Sequence, residues 1–356
     1  MEFLKKSVEI PSISGNETEF SQFLLNSMKK MGFHVKQDEL GNVIGKIGNG
    51  SPVLLLCSHM DTVVGTIPVK LEKGNLYGRG AIDAKGSLIS MICAVARFIG
   101  KPLSGTIIVA GIVEEETTLR GINSLLDSMD HVDYAIFGEP SGVNRICIAS
   151  KGRIHLHLTF KMKRGTLHVS SSELNQNAIH IAIDFWDELK KRLAQKPFQG
   201  KTPFFSVEPN ITVIKGGTAT NVLPDVCEVD IDLRFPPGIG SHQILEEIEK
   251  LKADKDIEIK VLSQIEGFRA DKETKLVESL KIAIEEVTGS EAKFLRKGGT
   301  NFMTIISNRL QIPCISYGPG DPTLEHTATE HIDVAEYQQV IEVLEKFISL
   351  ITLHLR

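Results

Sequence analysis

Short apolar runs that each lead into an acid or a histidine constrain this chain more than any other feature. Val53-Leu54-Leu55-Leu56-Cys57 leads into Ser58-His59-Met60-Asp61, Thr106 to Val113 into Glu114-Glu115-Glu116, Tyr134 to Gly138 into Glu139, and Ile312 to Tyr317 towards His326. Short, continuously apolar segments read as strands buried on both faces, as in parallel sheets covered by helices. In an open α/β sheet, ligands gather beyond the carboxyl ends of the strands. Four separate segments therefore deliver polar groups to one crevice.

Between these runs the period becomes helical. Phe20, Phe23, Leu24, Met28 and Met31 recur over Glu17 to Met31, and Gly32 supplies the stop. A strand over Asn42 to Ile47 and a helix over Ala84 to Phe98 continue the alternation, which predicts a largely parallel sheet covered on both faces. Around Arg153 the pattern changes: Ile154, Leu156, Leu158 and Phe160 alternate with His155, His157, Thr159 and Lys161, the period of a strand with one wet face. A helix over Asn177 to Leu193, strands at Asn210 to Ile214 and Val226 to Phe235, a helix over Ser241 to Lys252 and a strand at Ile257 to Leu262 follow. That order is ferredoxin-like. After Glu266 the first pattern resumes, with a helix over Thr274 to Val287 and a last one over Val334 to Ile351. The expected fold class is α/β: a mostly parallel sheet flanked by helices over 1–152 and 265–356, with a ferredoxin-like α+β domain inserted over 153–264. The 356 residues also exceed the size at which single cores stop growing.

A formal net charge of -5 implies no dominant basic face, which argues against nucleic-acid binding. The start, Met1-Glu2-Phe3-Leu4-Lys5-Lys6, lacks the apolar core of a secretory signal, and the longest apolar stretch, Ile89 to Gly100, is interrupted by Arg97. The expectation is a cytoplasmic protein with no membrane span. The cysteines (Cys57, Cys93, Cys147, Cys227, Cys314) are widely spaced among aliphatic neighbours, and read as small buried hydrophobes.

His59, Asp83, Glu116, Glu139 and His326 form the kind of set that two zinc ions sharing one carboxylate require, with Glu115 left as a base. Asp61, two residues after His59, is placed to fix that imidazole's tautomer; a surface turn would also favour this triplet. Two readings fit Asp83 in Gly78-Arg79-Gly80-Ala81-Ile82-Asp83: a helix N-cap, and an anion shared by two cations. Glu114-Glu115-Glu116 repel one another, so they form either a solvated turn or a site that meets positive charge.

His59-Met60-Asp61, Gly78 to Gly86, Glu115-Glu116, Gly138-Glu139-Pro140-Ser141, Gly216-Gly217 with Asn221-Val222-Leu223-Pro224, and His326 with Glu330 together resemble the co-catalytic zinc family. This family comprises aminoacylases, succinyl-diaminopimelate desuccinylases, acetylornithine deacetylases and glutamate carboxypeptidases. The likeness runs from near Ser12 to Ile332. By position, it implies that Asp83 bridges two metals, that His59 and Glu139 complete one site and Glu116 and His326 the other, that Glu115 is the general base, and that Asp61 orients His59. Glu115-Glu116 is chosen over Glu114-Glu115 because relatives often read acid-Glu-Glu-Thr, as Glu114-Glu115-Glu116-Thr117 does. The inserted domain resembles the family's lid and dimerisation domain. On that likeness His168 serves the partner subunit's site by steadying an oxyanion, and Asn221 and Arg234 hold a substrate carboxylate, although Arg234 also fits a surface ion pair. Lys151 matches a family motif and equally an exposed hinge lysine.

Arg296-Lys297-Gly298-Gly299-Thr300, Tyr317-Gly318-Pro319-Gly320 and Leu324-Glu325-His326-Thr327 resemble most the hydrolases that free lysine or ornithine from a small amino-group carrier protein in lysine and arginine biosynthesis. This places Gly299 and Thr300 in the substrate pocket. Thr300-Asn301-Phe302 departs from the Ser-Asp or Thr-Asp of many relatives. The resemblance implies two Zn2+, with Co2+ or manganese as substitutes, a homodimer, and as substrate an N-acylated amino acid or a small acidic carrier. Lys161, Lys163 and Arg164, or Lys190-Lys191-Arg192, supply a basic rim for such a carrier. Acetylornithine deacetylase, succinyl-diaminopimelate desuccinylase and dipeptidase are the alternatives in chemistry. A non-catalytic amino-acid or peptide-binding protein is the alternative in class. Ser170-Ser171-Ser172 lacks the Gly-x-Ser-x-Gly frame of a serine hydrolase.

Overall fold

The computed structural model describes residues 1–163, 165–170, 177–252 and 256–352. Arg164 of the expected basic rim, and Ser171 and Ser172, lie outside the described residues. The chain divides into two compact units, one formed by 1–148, 270–295 and 301–356, the other by 149–269 with 296–300.

The first unit is built on a mixed sheet. Strands Gly105–Ile112, Val53–His59, Tyr134–Phe137 and Cys314–Ser316 lie side by side in that order and run parallel. His34–Gln37 and Val43–Asn49 add antiparallel strands at one side, and Arg145–Ser150 pairs antiparallel at the other. Leu54, Leu55, Leu56 and Cys57 are fully buried, as are Ile107, Val109, Ala135, Ile136 and Ile315. Burying each such aliphatic side chain contributes about 1.5–3 kcal/mol. Helix Lys85–Ala96 packs on the sheet, Val334–Thr352 packs on that helix, and Lys275–Thr288 packs on Val334–Thr352. Lys85–Ala96 is apolar nearly all round and buried over most of its length, as expected of a central helix. Thr18–Met31 ends at Gly32, whose φ of 101° supplies the left-handed cap. The sequence reading missed three helices, Glu2–Glu9, Arg120–Asp127 and Phe302–Leu310. All three are short, so their periodicity spans barely two turns.

The second unit carries a four-stranded antiparallel sheet in the order Glu208–Gly216, Val226–Phe235, Gly152–Lys161, Ile257–Ile265. Numbered along the chain, the first and third strands are central and the second and fourth are at the edges, the ferredoxin-like arrangement. Ile154, Leu156, Leu158 and Phe160 point into a core shared with Phe185 and Leu189 of helix Ala178–Leu193 and with Ile244 and Ile248 of Ser241–Lys252. Asn177 caps the first of these helices by accepting the His180 N–H at 3.1 Å.

No helix among the described residues is long and apolar enough to cross a membrane. All five cysteines are free thiols.

Candidate metal centre

Parallel pairing brings the carboxyl ends of four strands to one edge of the first unit's sheet. His59 is the last residue of its strand, Glu115 and Glu116 follow Ile112 closely, and Glu139 lies two residues past Phe137. Asp83 stands just before helix Lys85–Ala96, and its N-cap reading fails: the cap position is Ala84, with no side-chain hydrogen bond. Its carboxylate is turned elsewhere. One oxygen lies 3.1 Å from His59 Nε2 and the other 2.9 Å from His326 Nε2. His59 Nε2 is 3.8 Å from Glu139 Oε1, and His326 Nε2 is 2.8 Å from Glu116 Oε1. Three groups with metal-ligand spacing result among the described residues: His59 with Asp83 and Glu139, Asp83 with Glu116 and His326, and His59 with Glu115 and Glu116; Asp83 belongs to the first two.

This donor set fits divalent cations. Two ligand atoms on a tetrahedral zinc ion, each about 2.0–2.2 Å from it, stand roughly 3.3–3.6 Å apart. The pairs above bracket that spacing. His59 Nδ1 donates to the Asp61 backbone carbonyl at 2.9 Å. A carbonyl only accepts, so the proton sits on Nδ1 and Nε2 is available to a cation.

The electrostatics agree. Burial pushes the Glu115 carboxyl well above the usual carboxylate range, and Glu139, Glu116 and Asp83 push the same way against His59. Burial and then Asp83 raise Glu116. Burial works to lower His59, but its contacts with Asp61 and Asp83 lift it well above the ordinary histidine value. His326 is pushed up to about 9, chiefly by its hydrogen bond to Asp83. Carboxyls pushed up beside imidazoles pushed up mark a site of strongly negative potential.

Asp61 is fully buried. Its Oδ1 is 3.4 Å from His59 Nδ1, and both of its oxygens are engaged by the backbone ahead: the N–H groups of Glu115 and Glu116 donate to Oδ1 and Oδ2 at 2.9 and 3.0 Å. Ser14 Oγ adds a bond of 2.6 Å to Oδ2. Burial works against ionisation here, but the bonds from His59, Ser14 and Glu116 hold the carboxyl below its ordinary value. Glu114 and His326 have φ of 57° and 61°, a left-handed conformation that costs of order 1–3 kcal/mol at a non-glycine residue and concentrates at functional sites. Ser14, Arg79 and Glu330 also bear on the centre, and the sequence reading gave them no role. Only the recurrence of Arg79 and Glu330 inside the motifs pointed to them.

The remaining expected residues lie in the second unit. His168 pairs in register with Val222 on a short two-stranded ribbon, and the Val169 N–H donates to the Asn221 carbonyl at 3.1 Å, so His168 and Asn221 are neighbours. His168 Nδ1 is 2.8 Å from Ser170 Oγ. Lys151, expected at an exposed hinge or in a pocket, is fully buried. Its Nζ donates to the carbonyls of Pro203 and Ser206 at 2.7 and 2.9 Å and pairs with Glu208. Thr300 Oγ1 donates to the Lys151 carbonyl at 2.7 Å, while Gly299 has open space where a Cβ would stand. Arg234 Nε donates to Asp232 at 2.6 Å, and Arg153 holds the other oxygen of that carboxylate at the same distance.

Residues 55–350 match the peptidase family M20/M25/M40. The chain is 32% identical over 348 residues to a LysW-lysine hydrolase from Deinococcus radiodurans, a match covering 96% of this chain and 94% of that protein. It is 30% identical over 335 residues to a LysW-lysine/LysW-ornithine hydrolase from Sulfurisphaera tokodaii, covering 94% and 90%. Among solved structures, an M20 family metallo-carboxypeptidase from Sulfolobus solfataricus is similar in fold, with a TM-score of 0.79 at 21% identity over 99% of this chain and 98% of that one.

Proposed function

The chain belongs to peptidase family M20/M25/M40, a metal-dependent hydrolase of amide C–N bonds, and we propose that it frees lysine or ornithine from a small acidic carrier protein in amino-acid biosynthesis. The relatives named as LysW-lysine and LysW-ornithine hydrolases support the carrier as substrate. The observation that carries the reading is Asp83, whose two oxygens face His59 and His326 separately. In this reading His59, Asp83 and Glu139 hold one ion and Asp83, Glu116 and His326 the other, both zinc, with cobalt able to replace it. When bound, the pair supplies Lewis acidity, polarising the amide carbonyl and acidifying water.

The chain's own groups do the rest. Glu115 takes a proton from the attacking water and returns it to the leaving amine. Asp61 keeps the Glu115-Glu116 turn and the His59 tautomer in place. His168, lent by the partner subunit of a homodimer, donates to the developing oxyanion. Arg234 and Asn221 grip the carboxylate of the amino acid, a planar anion matched by a guanidinium fork, and Gly299 and Thr300 belong to the same pocket. The segment 153–264 is the lid and dimerisation domain of a cytoplasmic enzyme.

The test is a hydrolysis panel on zinc-loaded protein that compares carrier-linked lysine and ornithine with acetylornithine, succinyl-diaminopimelate and dipeptides. Release of lysine or ornithine from the carrier is expected to exceed turnover of every small substrate. Activity confined to acetylornithine would overturn the carrier assignment.

A further inference from the structure

We propose that Glu330 is a positioning residue of the metal centre, aiming the shared carboxylate of Asp83 with Arg79 as its counter-ion. Glu330 is fully buried. Its Oε1 accepts the backbone N–H groups of Ile82 and Asp83 at 3.0 and 3.2 Å, and its Oε2 accepts from Arg79 Nη1 at 2.7 Å. The Gly78 N–H reaches the Glu330 carbonyl at 3.4 Å. One residue thus gathers both ends of the turn, its carbonyl holding Gly78 and its carboxylate holding Arg79, Ile82 and Asp83.

A buried ion pair is a poor way to gain stability, because desolvation consumes most of the Coulombic gain. Its value here is geometric. With the Asp83 N–H tied down, the carboxylate pivots about a fixed Cα, and its oxygens reach His59 on one side and His326 on the other. The far edge of the turn is anchored too, since Lys85 Nζ donates to the carbonyls of Ser7 and Ile10 at 3.0 and 2.5 Å. Glu330 follows His326 by four residues, so a single short segment carries both the outer histidine and the clamp on the shared anion. The distance between those two ligands is therefore set within two loops.

The inference rests on the two-ion reading above. It is tested by titrating zinc chloride, against a competing chelator, into the metal-free full-length chain, together with the visible spectrum of the cobalt-loaded protein. The unsubstituted chain is expected to take up two ions, and Glu330→Gln to bind at least one of them 10–100-fold more weakly, roughly the range for groups that orient metal ligands, with an altered cobalt spectrum. Should Glu330→Gln not fold, Arg79→Gln is read in the same way: a tenfold or greater loss supports the clamp. Two ions bound at unsubstituted affinity with an unchanged spectrum, in whichever variant folds, would overturn it. Fewer than two ions in the unsubstituted chain would instead remove the two-ion reading and the clamp together.

Discussion

Asp61 and Glu116 are joined through the main chain: Asp61 Oδ2 accepts the Glu116 N–H at 3.0 Å while Oδ1 takes that of Glu115. Asp61 therefore sets the exit of a strand with its buried carboxylate and the tautomer of His59 with its backbone carbonyl. Asp61→Asn turns one acceptor into a donor facing an N–H, and the turn must shift. We expect kcat/KM of the zinc-loaded enzyme to fall about 10–100-fold, with zinc affinity falling in parallel. An unchanged affinity would mean that the turn holds its shape without the charge.

Glu115 is half-buried among carboxyls and belongs to neither group that shares Asp83, although it lies with His59 and Glu116 in a third. Glu115→Gln keeps the volume and removes the proton acceptor. The expected outcome is a loss of roughly 10²–10⁴ in kcat with metal content unchanged, read from steady-state rates and elemental analysis on one preparation. If metal content falls as well, Glu115 is a ligand rather than a base.

How the site assembles was partly written in the sequence. His59, Glu116 and Glu139 each follow an apolar run, so parallel pairing alone sends them to one edge. Asp83 was legible from its glycine-rich turn and His326 only loosely, nine residues past the run ending at Tyr317, because a glycine-rich turn and a left-handed residue carry no periodicity. The backbone bonds of Asp61 and Glu330 had no local signature: their partners lie 54 and 248 residues away along the chain, and main-chain donors have no side-chain identity to read. Lys151 was misleading for a related reason. A lysine after a strand normally meets solvent, and only the fold of 203–208 back onto it supplies the oxygens that keep it buried.

His326 gives a pH dependence whose sign can be fixed. Its folded value, about 9, stands above the ordinary 6.5, so in metal-free protein the imidazolium contributes stability that is fully present below 6.5 and is lost as pH rises through about 9. The melting temperature of chelator-treated protein should therefore drop between pH 7 and pH 9.5, and His326→Gln should flatten that drop. Over the same window zinc affinity should rise, because a proton competes with the ion for Nε2. A His326→Gln profile parallel to that of the unsubstituted chain would rule this out.

Gly318 offers a way to disturb one triad without touching a ligand. A Cβ there would stand 2.2 Å from Ser87 Oγ and 2.7 Å from the Glu139 carbonyl oxygen. The Ser87 side chain can rotate away, but a backbone carbonyl cannot. Gly318 is also stitched to the segment after Glu139, its carbonyl accepting the N–H groups of Ser141 and Gly142 at 3.2 Å. Gly318→Ala must therefore push the Glu139 segment outward, at about 1–3 kcal/mol for overpacking. The displacement should weaken the ion held by His59, Asp83 and Glu139 and spare the one held by Asp83, Glu116 and His326. Urea denaturation would read the first effect, and a zinc titration with two resolved steps the second. Equal weakening of both steps would show that the shared carboxylate, and not Glu139 alone, had moved.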